Sequence, residues 1–418
     1  MTRDFSNNLE VFIRLLLLLF SYNCLSQILP STIGVHHKKE TSFPEQSYTL
    51  SFDGTNDRVD NTGVTLNNLI GFTLELWINA DHAGSNIGII GEDNLIECTF
   101  SGTNKIRVWE EKKRQTIVWG FNTSEFPMQA WNHLAFVGDA SASSGWLKIY
   151  VNGKLEKSGG KDPGANWGIG HSPYGAPVRL AKKIAGGNDN AFDGKMDEVR
   201  IWSEARTIEE INSNMFKHLN GDEDNLMAYY QMSDASGTTL TDNSSNANNG
   251  TLINMDNNDW VTSYVPLADF PSAYENKVEG LWESTATADS DESDGLSLSV
   301  DVALSNDFII FGNNDDDNGT SSSSILDLNL ISDRVWYFEE VGDITADVKI
   351  DISIATGYSG GATLTADNYK LLYKTCVECD YSDISDGLSK SVNGTDITFS
   401  SVIIKDGYYT IGSTDSNL

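Results

Sequence analysis

Apolar and polar residues alternate in short runs from Tyr48 onward, and Gly, Asn and Asp cut the runs apart. Period two sends successive side chains to opposite faces of a strand, so the pattern predicts an all-β chain. The clearest run, "FTLELWINA", sets Phe72, Leu74, Leu76 and Ile78 on one face and Thr73, Glu75 and Trp77 on the other. "AWNHLAFVGD" and "WLKIYVNGKL" follow. The second contains Asn152-Gly153, suited to a two-residue hairpin turn because both central residues there need positive φ. "KMDEVRIWSEA" adds a strand with Met196, Val199 and Ile201 among its apolar residues.

One segment changes period. "TIEEINSNMFKHL" opens with Thr207 and Glu210 at capping-box spacing, and Ile208, Ile211, Met215 and Leu219 recur at helical spacing. A helix is expected here, capping the edge of a sheet. The chain then returns to strands around a loop of Asp, Asn, Gly and Ser. Two prolines in "PLADFPSAYENK" mark a composition break. Beyond it "VKIDISIA" alternates Val348, Ile350, Ile352 and Ile354, and "DGYYTIG" closes a second β-rich stretch. The expected organisation is one sandwich over 45–270 and a smaller one over 271–418, separable near Pro271.

Length and charge narrow the reading. A chain of 418 residues exceeds one compact core. A formal charge of -32 excludes nucleic acid as the expected partner, since phosphate binding needs the opposite sign. The acidic stretches "TADSDESDG" and "GNNDDDNGTSSSS" lack EF-hand spacing and read as solvated loops. At the N-terminus Arg3 and Arg14 precede an apolar run from Leu15 to Phe20, and Cys24 and Ser26 fit a small-x-small cleavage site. Residues 1–26 are therefore expected to be a signal peptide and 27–44 a linker. The run is far shorter than the ~20 residues a bilayer requires. The mature chain is expected to be secreted or held at the outer cell surface. Cys376 and Cys379 in "TCVEC" are candidates for a small disulfide loop or for inert thiols, with Cys98 alone.

The ordered set "LSFDGTNDRVD", "FTLELWINA", "AWNHLAFVGD", "LKIYVNGKL" and "FDGKMDEVRIWSEARTIEEI" resembles the LamG-like jelly-roll branch of the concanavalin A-like lectin/glucanase superfamily. The resemblance covers roughly residues 45 to 268. It implies two antiparallel sheets packed face to face. It also implies a calcium ion between the first turn and an acidic residue on the last strand, with Asp53, Asp57 and Asp197 as candidate ligands and Gly54 offering its carbonyl. Without a metal, Asp53 and Asp57 serve equally well to cap the turn. The C-terminal strings "DFIIFGNND", "DRVWYFEEVGD" and "DGYYTIG" resemble a β-sandwich module of exported Bacteroidota proteins.

Function follows from what the residues offer. The glucanase pattern E-x-D-x-x-E, which sets two carboxylates about 5 Å apart for retaining hydrolysis, does not occur in the chain. Trp109, Trp167 and Tyr174 lie in or beside polar, glycine-rich stretches such as "ANWGIGHSPYG". Flat aromatic faces beside amides and carboxylates suit sugar rings, and the same residues also serve as core at sheet ends. The expected function is binding of polysaccharide or glycoprotein glycans without catalysis. The alternatives are a glycan-degrading hydrolase with an unrecognised site and a purely structural spacer.

Overall fold

The computed structural model describes residues 47–61, 63–167, 177–183, 191–283, 287–289, 294–315, 319–322, 327–360 and 363–415. The signal and linker assigned to 1–44 lie outside these residues.

The first half forms sixteen strands and one helix. They are β1 (Tyr48–Asp53), β2 (Arg58–Asn61), β3 (Gly71–Ala80), β4 (Ser85–Glu92), β5 (Ile96–Gly102) and β6 (Lys105–Glu110). Next come β7 (Gln115–Gly120), β8 (Trp131–Asp139), β9 (Leu147–Val151), β10 (Lys154–Gly159), β11 (Val178–Leu180) and β12 (Asp193–Trp202). Helix α1 (Ile208–Asn214) precedes β13 (Leu226–Tyr230), β14 (Thr239–Leu240), β15 (Gly250–Ile253) and β16 (Trp260–Thr262). Sheet I has the order β10-β9-β8-β3-β12-β1-β16, with β13 also on β12, and sheet II the order β14-β15-β2-β11-β4-β5-β6-β7. All pairings are antiparallel. Phe72, Leu74, Leu76 and Ile78 face inward as the alternation requires, and they meet Ile96, Phe100, Ile106 and Val108 of sheet II in a shared core. Asn152 and Gly153 both have positive φ, +48° and +75°, and join β9 to β10 as the turn residues predict.

Both faces of β3 are buried, although its polar alternation suggested one open side. Helix α1 is the first cover. Thr207 and Glu210 form the expected capping box. The helix ends at Asn214, so Met215 caps it and Leu219 lies past its end. Its Ile211 packs on Ala135, Val137 and Tyr150 of the outer face of sheet I, rather than closing an edge.

The second half follows as β17 (Asn276–Leu281), β18 (Thr287–Asp289), β19 (Leu296–Ser299), β20 (Phe308–Asn313), β21 (Thr320–Ser322), β22 (Leu330–Ser332) and β23 (Trp336–Val341). After them come β24 (Thr345–Asp351), helical turn α2 (Ile352–Ala355), β25 (Tyr369–Lys374), β26 (Ser382–Asp383), β27 (Lys390–Asn393), β28 (Asp396–Ile403) and β29 (Gly407–Ser413). Sheet III runs β17-β20-β23-β29-β22-β21, with β25 on β29 and β26 on β25, and sheet IV runs β18-β19-β24-β28-β27. Their inner faces enclose Phe311, Trp336, Phe338, Val348, Ile350, Phe399 and Tyr409. The alternation through Ile352 and Ile354 does not continue the strand. Asp351 accepts the Ser353 N–H at 2.9 Å, which starts a helical turn in its place. Cys376 and Cys379 form a disulfide, and Cys98 is a buried thiol whose pKa burial pushes up.

A second cover lies on sheet I. Trp77 and Trp131 on its outer face join Met215 and Phe216 with Val278, Trp282, Phe308 and Ile310 of the second half in one apolar cluster. Trp282 Nε1 donates to the Trp131 carbonyl at 2.8 Å, and Trp77 Nε1 to the Met215 carbonyl at 2.8 Å. Each tryptophan removes ~200 Å² from water, so this cluster is a core in its own right. A cut near Pro271 separates the strands of the two sandwiches but opens this shared surface.

Candidate functional site

The outer face of sheet II has a different character. On β5 and β6 the apolar residues turn inward, leaving Glu97, Thr99, Arg107 and Trp109 on the outside. The ladder sets Glu97 opposite Trp109 and Thr99 opposite Arg107. Trp109 in turn faces Thr116 on β7. On the other side Gly91 faces Glu97, Arg179 faces Gly91, and Asp60 faces Arg179. One row, Asp60-Arg179-Gly91-Glu97-Trp109-Thr116, thus crosses six strands, roughly 24 Å at ~4.8 Å per strand.

The glycines shape this row. A Cβ on Gly91 would stand 2.3 Å from the Ile96 carbonyl oxygen, and one on Gly88 2.5 Å from the Lys182–Lys183 peptide. The chain therefore passes directly over Gly88, which brings Lys183 onto the face. Its Nζ lies 2.7 Å from Glu97 Oε2 and 5.7 Å from the Trp109 ring centroid. Arg179 bridges Asp60 at 2.5 Å and Asp93 at 3.0 Å. Arg107 Nη2 donates to Asn86 Oδ1 at 3.1 Å, while Arg107 Nε and the Thr99 hydroxyl are buried without a partner. Leaving such groups unpaired costs about 1–3 kcal/mol each. The cleft between Gly88, Asp93, Glu97 and Lys183 has about 10 Å³, room for one water. A larger ligand has to lie across the face, where Trp109 is half-buried and Thr116 and Val118 are exposed.

Trp109 is thus the predicted ligand residue that stands on an open face. Trp167 is 0% exposed, bridges to Leu69 and meets Phe72 edge to face at 5.6 Å. Its ring belongs to the core and offers no face to a ligand, because the short stretch before it is hydrogen-bonded back to residues 68 and 69. Tyr174 and most of "ANWGIGHSPYG" lie outside the described residues.

The first turn is held by its own amides. Asp53 Oδ1 accepts from Thr55 N at 2.7 Å, and Asp57 Oδ2 accepts from Asp53 N at 3.0 Å. Slight burial works against the Asp53 charge, but the Thr55 and Asn56 N–H groups that donate to it help hold its pKa below the usual range. Burial raises the Asp57 carboxyl to about 6, with Asp53 and Asp259 adding repulsion. Gly54, at φ +70°, packs on Asp193, which is the residue opposite Asp53 in the ladder. Asp197 lies four residues further along β12, about 13 Å at 3.3 Å per residue. It is buried, takes bonds from Ser263 Oγ at 2.6 Å and Glu198 N at 2.9 Å, and burial raises its pKa well above the carboxylate range. The donors named for calcium are therefore not assembled as a set. Among the described residues no three carboxylate, histidine or cysteine side chains converge on a metal position.

Comparison with known proteins finds a family match over part of the chain. Residues 53–212 match the concanavalin A-like lectin/glucanases superfamily. No curated protein gives a significant match. Among solved structures the chain is similar to a candidate carbohydrate-binding protein from Bacteroides ovatus, with 24% identity and a TM-score of 0.43 over 53% of this chain and 61% of that one. It is also similar to the heptameric SAP-like pentraxin of Limulus polyphemus, with 18% identity and a TM-score of 0.30 over 40% of this chain and 81% of that one. The IT-sialidase CBM40 of Ruminococcus gnavus, solved with α2,3-sialyllactose, gives 14% identity and a TM-score of 0.32 over 39% and 92%. The chain spans 61% of the length of the Bacteroides ovatus protein.

The first sandwich also contains a polar network that the alternation pattern hid. A bulge in β12 puts Glu198 at φ +50° and turns it onto the buried outer face of sheet I. Its carboxylate accepts from Arg200 Nη2 at 2.8 Å and Tyr229 OH at 2.7 Å, and meets His218 Nδ1 at 2.9 Å. Burial opposes the Glu198 charge, but these partners lower its pKa overall. The Glu198 hydrogen bond in turn raises His218. Arg200 also donates to the carbonyls of Asn214 and Lys217, so the network ties the connector after α1 to the sheet. Nearby Glu75 accepts from Trp202 Nε1 at 2.8 Å, and burial lowers His133 to about 3. Both carboxylates are buried, and the network clamps this connector to sheet I. The sequence signal for it is three charges within four residues, "DEVR", inside a strand.

Proposed function

We propose that the chain is a glycan-binding protein of the cell exterior that holds polysaccharide or glycoprotein glycans without cutting them. The supporting observation is the row on the outer face of sheet II, where the half-buried Trp109 ring stands beside Glu97, Lys183 and the half-buried Arg107. A pyranose presents an apolar C–H face and a rim of hydroxyls, and this surface presents a ring and a rim of donors and acceptors. The superfamily of residues 53–212, which takes its name from lectins and glucanases, fits that chemistry.

Binding is favoured over hydrolysis by how the acids are paired. Retaining hydrolysis needs two carboxyls facing each other across a bond, one of them protonated. Here Glu97 faces a tryptophan across the ladder and is paired to Lys183, and Asp93 is paired to Arg179. The test is a glycan array probed with the purified chain, followed by reducing-end analysis of every glycan it retains. Retention without new reducing ends is expected. Release of reducing sugar would establish the hydrolase, and failure to retain any glycan would leave the spacer.

A further inference from the structure

The outer face of sheet III continues past the part covered by the first sandwich. On β17 and β20 that face is occupied by Val278, Trp282, Phe308 and Ile310 in the shared cluster. On the next strands the same face carries Tyr337, Tyr408 and Lys374. The ladder sets Tyr337 opposite Tyr408 and Tyr408 opposite Lys374, one side chain from each of three adjacent strands. The two tyrosine rings lie 5.1 Å apart, and Tyr274, from the short helical turn Ser272–Tyr274, stands 5.0 Å from Tyr408. Tyr408 is buried at the middle of the row, whereas Tyr274, Tyr337 and Lys374 on either side of it are half-buried, so the row opens to solvent at its ends.

The far side of the row is closed by a built edge. Lys374 Nζ donates to the Val377 carbonyl at 2.7 Å and lies 4.7 Å from the ring centroid of half-buried Tyr381. Between those two residues the Cys376–Cys379 disulfide closes the turn and presents Val377, 53% exposed, at its tip. Fastening the linker requires Phe270 and Tyr274, whose rings contact Tyr337. It does not require a second tyrosine and a lysine held over the row by a cross-linked turn. Such a turn fixes Tyr381 in place before anything binds, which reduces the ordering cost of binding.

We propose that Tyr337, Lys374 and Tyr381, over a floor made by the buried Tyr408, form a second glycan-binding surface, which takes a neutral pyranose chain. The rings offer stacking area for C–H faces and the tyrosine hydroxyls offer donors at the rim. Neutral sugar is specified by charge. Asp269, Glu339, Glu378, Asp380 and Asp406 lie in or next to these segments, and the one lysine is already engaged by a carbonyl and two rings. Uronic acids and sulfated sugars would therefore meet repulsion.

This proposal does not rest on the Trp109 face, and the test separates them. The full chain and its Trp109→Ala, Tyr381→Ala and Tyr381→Leu variants are titrated with neutral cello-, xylo-, manno- and arabino-hexaoses, and each variant's melting midpoint is recorded. Trp109→Ala is expected to retain binding to at least one hexaose. Both Tyr381 substitutions, placed in the Trp109→Ala chain, are expected to weaken that residual binding at least tenfold with the midpoint unchanged. The Leu variant keeps an apolar filler and removes only the ring. Residual binding that survives both substitutions would overturn the proposal. So would a lowered midpoint at unaltered affinity, which would make the row a linker anchor only. The absence of hexaose binding in every chain that keeps Tyr381 would overturn it as well.

Discussion

Sheets I and II are built from the same alternating pattern, yet their outer faces have different fates. On sheet I the outward residues Glu75, Trp77, Trp131, Arg200 and Trp202 are all buried, under α1, the connector after it and the second sandwich. On sheet II the outward Glu97, Thr99 and Arg179 are buried as well, but Arg107, Trp109, Thr116 and Val118 toward the β7 edge remain half-buried or exposed. A tryptophan at an outward position therefore means different things on the two sheets: a piece of hidden core at Trp77, a surface ring at Trp109. What distinguishes them is long-range covering, which no local period records.

The largest effect is expected where the hidden face is breached. Trp282→Ala removes the ring that fills the contact and the bond to the Trp131 carbonyl. Large-to-small core changes of this kind cost about 3–5 kcal/mol, and chemical denaturation should show that loss. A change below about 1 kcal/mol would mean that the two sandwiches are not energetically coupled.

The clamp on the same face comes next. Glu198→Ala leaves Arg200 buried without its closest carboxylate and removes the acceptor of Tyr229 and His218. Breaking a buried pair in this way costs about 3 kcal/mol. A pH signature accompanies it. His218 is raised in the folded state, so its contribution is complete below 6.5, the unfolded value, and fades as pH rises through the folded one. Denaturation curves of the wild type should show that decline, and those of Glu198→Ala should lack it. An identical decline in both would detach His218 from the network.

Smaller effects are expected at the first turn. Asp57 is raised to about 6, so its share of stability is present below pH 3.8 and is lost as pH rises through about 6. Asp57→Asn should flatten that part of the stability profile and leave the variant relatively more stable at pH 7. A steeper profile in Asp57→Asn would show that the charged form supports the turn. Because amides already satisfy Asp53 and Asp57, calcium and chelator are expected to give the same melting midpoint. A rise with calcium would restore the metal that the family resemblance implied.

The fold was largely legible in the chain, and the surfaces were not. Asn152-Gly153 and the Thr207–Glu210 box act over a few residues and appear where their spacing put them, and the period-two runs form strands except past Asp351, where a helical turn takes over. The stripe that ran on to Leu219 was cut short because Met215 and Phe216 leave the helix to enter the shared core. Trp167 misled for a related reason. Its glycine-rich surroundings suggested an exposed loop, whereas the backbone pins it beside Leu69 and turns its ring inward. Asp197 was paired with the first turn by the family resemblance, whereas register places Asp193 opposite Asp53. Trp109 was visible as an aromatic among charges, but its partners Glu97 and Lys183 come from ladder register and from a chain crossing at Gly88.

Paired substitution of the two tryptophans tests the central claim most directly. Trp109→Ala and Trp167→Ala are each titrated with a glycan retained by the wild type, and their stability is measured alongside. Trp109→Ala is expected to weaken binding by about 1–3 kcal/mol with the fold intact, as the loss of an aromatic anchor does. Trp167→Ala is expected to lose about 3–5 kcal/mol of stability, with the affinity of the folded fraction unchanged. The reverse result, with binding lost at Trp167 and only stability lost at Trp109, would contradict the assignment of the outer face of sheet II as the glycan surface.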